Sequence, residues 1–241
     1  MRKDDIRVIT FATIICVVCS LVLSATATIL KERQDIAVEL DRQMNVLKAF
    51  GVAVVDENGR KLTKEAVDRF FTENISEVFI DKATGDIVAD PDPNVLKREA
   101  KERTHESRTL LPLYVWKEGG EAIKYAFPTS GMGLWSIIHG YVALDRDLST
   151  IIGVTFYKHG ETPGLGGEVS ADWFQDQFSG KIIFDAGDLV RLEVVKGAAP
   201  EGSTHQVDGM SGATMTGNGI NQFINRDIAF YEKYFSRIRG T

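Results

Sequence analysis

LLPLYVW (110–116), AIKYAFP (122–128), IIHGYVALD (137–145) and IIGVTFYKH (151–159) are four apolar runs in succession, rich in β-branched and aromatic residues. Each is too short for a typical helix and of the right length for a strand. Gly119-Gly120 supplies a hairpin turn between the first two. Successive strands joined by short links argue for an antiparallel sheet.

Around this block the pattern is mixed. After it come a helical stretch over 171–178 and two extended runs, 181–185 and 189–196. A final helix over 220–238 carries Ile220, Phe223, Ile224, Ile228, Tyr231, Phe235 and Ile238 along one face. Before it, Ile36, Leu40, Met44, Leu47 and Phe50 recur at helical spacing, and Gly51 can end that helix. A second helix covers 64–71, with Thr63 as cap. A short strand (76–80), a turn (83–86) and an extended piece (87–89) follow, and Pro91-Asp92-Pro93 closes the unit. The densely charged stretch 97–108 reads as a solvated helix or loop. The class is α+β: a largely antiparallel sheet with flanking helices.

Residues 8–30 hold no charge, and these 23 residues would form a helix about 35 Å long, enough to cross a bilayer. A signal peptide is the competing reading, with MRKDDIR as n-region and Ala25-Thr26-Ala27 as cleavage site. The apolar run continues beyond that site through Thr28, Ile29 and Leu30, which favours a retained anchor. Three basic residues precede the segment and two follow it, a slight preference for a cytoplasmic N-terminus. The expected organisation is a cytoplasmic tail (1–7), a transmembrane anchor (8–30), a juxtamembrane amphipathic helix (31–50) and an exported soluble domain (51–241).

The chain carries a net charge of −6, and residues 34–241 carry 23 Lys and Arg against 31 Asp and Glu. No basic run stands out, which argues against nucleic acid as a partner. Both cysteines, Cys16 and Cys19, lie in the apolar segment, so the soluble part has no disulfide, thiolate metal site or cysteine nucleophile. The four histidines, at 105, 139, 159 and 205, show no ligand spacing, so no metal site is expected.

Three Gly-rich stretches remain: GMGLW (131–135), HGETPGLGG (159–167) and DGMSGATMTGNG (208–219). Three within about ninety residues suggest backbone brought close to a ligand. The third runs into the final helix, whose free N–H groups and dipole would stabilise a phosphate. It contains no G-K-[ST] and no dinucleotide fingerprint. On the residues alone, a Ser/Thr-rich helix cap is the preferred reading of this stretch.

The segment DGMSGAT, Asp208 to Thr214, resembles the D-x-x-[ST]-G-A-T target of periplasmic flavin transferases and matches at every specified position. HGETPGLG, GMGLW, the single anchor and the helix containing LDRQMNVLK are similar to the covalent-FMN subunit of the Na⁺-translocating NADH:quinone reductase, over nearly the whole chain. The related flavoprotein of Rnf-type complexes shares SGAT and a form of ETPGLG but not GxGLW.

The resemblance implies FMN joined to Thr214 by a phosphoester, on a bacterial inner-membrane protein whose soluble domain is periplasmic. Thr214 is then an attachment point, with no catalytic residue in the chain. Ser211, Gly212, Ala213 and Thr216 would surround the attachment, and Asp208 and Ser211 would be read by the transferase. Thr162, Gly164 and Leu165 would lie against the ring or ribityl chain. Glu161 would bind a ribityl hydroxyl or act as a turn carboxylate; Trp135 would stack on the flavin or sit in the core. NADH oxidation and ion transport would fall to other subunits of the complex. An Rnf-type relay and an exported non-redox binding protein are the alternatives; flavin absorbance surviving denaturation excludes the latter.

Overall fold

The computed structural model describes residues 3–57 and 59–240; Met1 and Arg2 of the expected tail, Asn58 and Thr241 lie outside them. The chain divides into two compact units, Met1–Arg42 and Gln43–Thr241.

The first unit belongs to one helix, α1 (Lys3–Ala49), which runs through the expected boundary between anchor and juxtamembrane segment. No Gly or Pro interrupts residues 3–49, so nothing breaks the i→i−4 ladder. Thr10, Thr13, Thr26 and Thr28 satisfy their hydroxyls by donating to the carbonyl four residues back, at 2.8–2.9 Å. The helix is long and apolar enough to cross a membrane, with a mean hydropathy of 2.6 in its most apolar window.

The second unit begins at Gln43 rather than Gly51, because the last two turns of α1 are built into it. Val46, Leu47, Ala49 and Phe50 are buried, whereas Ile36, on the same expected face, is exposed. Gly51, at φ +80°, ends the helix. Then come α2 (Lys64–Asn74), capped by Thr63, and strands β1 (Ile75–Asp81) and β2 (Ile87–Val88). Pro91-Asp92-Pro93 opens α3 (Pro93–Glu99), with the Asp92 carboxylate accepting the Asn94 N–H at 2.8 Å. The charged stretch after it is not fully solvated. Glu99 is buried and accepts from the Thr109 N–H and hydroxyl and the Leu110 N–H.

The four runs form β3 (Leu110–Glu118), β4 (Glu121–Met132), β5 (Ile137–Asp145) and β6 (Ile151–Lys158). With β1 and β2 they make one antiparallel sheet in the order β2-β1-β3-β4-β5-β6. Their apolar residues run nearly continuously because both faces are covered. Leu111, Leu113, Phe127, Val142 and Phe156 share a core with the final helix. Tyr114 and Trp116 meet Phe71, Phe50 and Phe70 edge-on at 5.3–6.0 Å on the other face.

Beyond β6 lie two 3-10 turns, Gly166–Ser170 and Asp176–Phe178, around α4 (Asp172–Gln175). The expected extended runs shrink to two-residue pairings: β7 (Phe184–Asp185) with β8 (Asp188–Leu189), and β9 (Glu193–Val194) with β10 (Gln206–Val207). The last helix, α5 (Thr214–Arg239), starts six residues before Ile220. Gly217 and Gly219, which read as loop in the sequence, are helical and buried. A Cβ at Gly219 would stand 2.3 Å from the Met132 carbonyl, so only glycine lets α5 approach β4 this closely. Ile238, expected on the buried face, is exposed in the last turn.

Candidate functional site

The three Gly-rich stretches meet at the start of α5, and one carboxylate joins them. Glu161 is buried beneath the end of the sheet. Its Oε1 accepts from the Trp135 and Ser136 N–H groups, both at 3.0 Å, and from the Ser136 hydroxyl at 3.3 Å. Its Oε2 accepts from the Leu134 N–H at 3.1 Å and the Thr216 hydroxyl at 2.8 Å. Burial pushes its pKa up, but donors from Trp135, Thr216, Ser136 and Leu134 outweigh burial and hold it below the usual carboxylate value. Both oxygens accept from protein donors, which is the geometry of the turn carboxylate among its two expected roles. Thr216, grouped in the sequence with the cofactor-binding residues, is buried with its hydroxyl committed to Glu161.

The glycines serve this convergence. A Cβ at Gly166 would meet Thr216 Oγ1 at 2.5 Å, and one at Gly212 would meet the Leu165 side chain at 2.8 Å. The close backbone expected to face a ligand therefore faces other protein segments at these positions. Thr162 closes the turn: its carbonyl accepts from the Leu165 and Gly167 N–H groups, and Gly164 sits at φ +74°.

Thr214 is the first residue of α5 and is exposed. The residue before the helix is Ala213, and no side chain caps it, so the expected Ser/Thr cap is not formed; Ser211 is exposed as well. Beside Thr214 opens a cleft of about 610 Å³, lined by Val195, Lys196, Gly197, Met210, Ser211 and Asn218 among others. Sequence reading missed its far wall, residues 193–197. Asn221 on α5 holds that wall by pairing with the Val194 N–H and carbonyl, at 2.6 and 3.0 Å, and Asn225 does the same for Leu192, at 2.8 Å each. The signal was available: two asparagines four apart, Asn221 and Asn225, on one face of the helix. Asp208 ties down the loop below, accepting the Ala199 N–H at 2.7 Å.

Large apolar groups remain in solvent at this end of the molecule. Trp135 is 69% exposed, Met215 59% and Leu165 44%. Trp135 is therefore not a core residue, the second of its expected roles.

The FMN-binding domain family matches residues 133–229, which takes in the last three residues of the first Gly-rich stretch and all of the other two. NqrC of the Na⁺-translocating NADH-quinone reductase from Vibrio campbellii is 37% identical over 223 residues, covering 84% of this chain and 82% of the relative. The chain belongs to the NqrC family of Na⁺-translocating NADH-quinone reductase subunits. Two crystal structures of NqrC proteins share its architecture. The one from Parabacteroides distasonis has a TM-score of 0.69 at 27% identity, covering 86% of this chain and 96% of that one. The one from Shewanella oneidensis has a TM-score of 0.67 at 28% identity, covering 85% and 100%. For an NqrC-family chain with an FMN-binding domain, the residues at the start of α5 fit the cofactor: an exposed hydroxyl, an uncapped first turn for a phosphate and exposed apolar side chains for a ring.

Proposed function

We propose that Thr214 Oγ1 carries FMN through a phosphoester, and that the chain relays electrons inside a multisubunit Na⁺-translocating NADH:quinone reductase. The observation that carries the reading is the position of Thr214: an exposed hydroxyl at the uncapped start of a 26-residue helix. The N–H groups of the first turn stabilise the phosphate charge. Ser211, Gly212 and Ala213 shape the loop that presents the hydroxyl; Asp208 and Ser211 are the features a flavin transferase reads. Leu165 and Trp135 offer apolar surface to the ring, and Thr162 and Gly164 set the turn that aims Leu165. Glu161 and Thr216 act from beneath by holding these segments together. Bound FMN would supply reversible electron uptake and release.

The apolar part of α1 anchors the chain in the bacterial inner membrane, with the soluble domain in the periplasm. NADH oxidation and sodium transport belong to other subunits, since this chain has neither a nicotinamide fingerprint nor more than one membrane-length helix among its described residues. Intact-mass measurement and peptide mapping of denatured full-length protein made with and without a flavin transferase test the attachment. FMN mass on a peptide containing Thr214, seen only with the transferase, is the expected result. Its absence, or its appearance on another residue, overturns the assignment.

A further inference from the structure

A second pocket, of about 400 Å³, opens at the same end of the sheet and shares no lining residue with the Thr214 cleft. Arg103, Ser136, His139, Lys158, His159 and Gly160 are among the residues that line it, so it holds four basic side chains and, among the described residues, no carboxylate. They come from three places: the loop before β3, neighbouring positions on β5 and β6 (His139 pairs with Lys158 in register), and the turn after β6. On a chain of net charge −6, Arg103 and Lys158 bring two positive charges to one pocket, with the His139 and His159 imidazoles beside them.

The charges are not neutralised nearby. Neither Arg103 nor Lys158 forms an ion pair among the described residues. Glu102, next to Arg103 in the sequence, forms no ion pair with it among the described residues, and Glu106 bonds Arg226 at 3.4 Å. Glu161 is buried and turned toward the 134–136 N–H groups. The His139 pKa is lowered by burial and then by Lys158, Arg108 and Arg103, all positive. Buried His105 behind it is pushed down to about 3, again by burial first and then by Arg108, His139, Arg226 and Lys82. Like charges gathered in a concave site without a counterion cost free energy, and an anion recovers it.

We propose that the pocket formed by Arg103, His139, Lys158 and His159 binds a phosphate group. Donors approaching from three separate elements suit a tetrahedral anion with oxygens in three directions better than a planar carboxylate. The phosphate can be free or carried on a lipid headgroup; the chemistry at the pocket is the same. Bound phosphate favours protonated His139, so by linkage its pKa rises on binding.

The test uses full-length protein with ¹³C-labelled histidine in nanodiscs of zwitterionic lipid, the His139 resonance being assigned by its loss in His139→Gln. The His139 pKa is measured in chloride and after replacement by inorganic phosphate at equal ionic strength. A saturable rise of about one unit, a ten-fold preference for the protonated form, is expected. The double variant Arg103→Gln, Lys158→Gln should lose the rise while unfolding at the wild-type temperature. Phosphatidylglycerol discs without added phosphate separate the sources: a raised pKa there identifies a headgroup, and a rise only with inorganic phosphate identifies a soluble ligand. Equal pKa values in chloride, phosphate and anionic discs, or a rise that survives in the double variant, would overturn the proposal.

Discussion

Replacing Glu161 by Gln removes a buried charge that five protein donor contacts address. A glutamine oxygen placed where Oε1 stands keeps the Trp135 and Ser136 donors but turns its NH₂ toward Leu134 and Thr216. The Thr216 hydroxyl can rotate and accept; the Leu134 N–H cannot, and it is left without a partner. Losing the charge-assisted bonds and stranding one N–H costs about 2–3 kcal/mol. In a domain of this size that lowers Tm by about 5–10 °C. Glu161→Ala strands more donors and should cost about 4 kcal/mol.

The pH dependence separates this from a general packing defect. The folded pKa of Glu161 is depressed below its ordinary 4.5. Its stabilisation is therefore fully present above the unfolded pKa and lost as pH falls through the folded one. The gap in Tm between wild type and Glu161→Gln should be constant at neutral pH and close below about pH 4.5. Glu99 and Asp147 also have depressed pKa values, but they are present in both proteins and cancel in the difference. Calorimetry of the full-length chain in detergent measures the gap, and hydrogen exchange should show faster exchange at 134–136 with core strands unchanged. A glutamine variant as stable as wild type, or a gap that persists into acid, would refute the clamp.

Thr214→Val should abolish covalent FMN in denatured protein while changing stability by no more than about 0.5 kcal/mol, because the side chain is exposed; intact mass and calorimetry check both halves. Leu165→Asp should lower the flavin midpoint potential with FMN still attached, since a carboxylate beside the ring disfavours added negative charge. Redox titration reads this, and an unchanged potential would shift the ring contact toward Trp135. Protein purified from membranes should retain its N-terminal segment; N-terminal sequencing that begins at Thr28 would make residues 1–27 a signal peptide.

The sheet could be read from the sequence because each strand announces itself within its own nine or so residues. The start of α5 could not. Gly217 and Gly219 weaken a helix when judged by propensity alone, yet tertiary packing overrides this: Met132 of β4 comes so close to Gly219 that a side chain would collide, and Gly217 packs against Val194 of β9. Pro91-Asp92-Pro93 reads in the sequence only as the close of a unit, yet the same residues open α3, where the Asp92 carboxylate accepts the Asn94 N–H. Trp135 is as much a core residue as a surface one by type. Its exposure follows from the turn on which Glu161 fixes it.

Contiguous features were determined by the sequence itself: an uncharged segment of bilayer length, four successive strands, and a DGMSGAT segment that matches the flavin-transferase target at every specified position. Each depends on neighbours along the chain, so local spacing carries the information. The tertiary structure decided what the carboxylate of Glu161 does, how early α5 begins, and that residues 193–197 form a wall beside Thr214. These depend on groups far apart in sequence; Glu161 and Thr216 are separated by 55 residues. A carboxylate's role is set by which donors reach it, and the folding of the sheet against α5 brings those donors in.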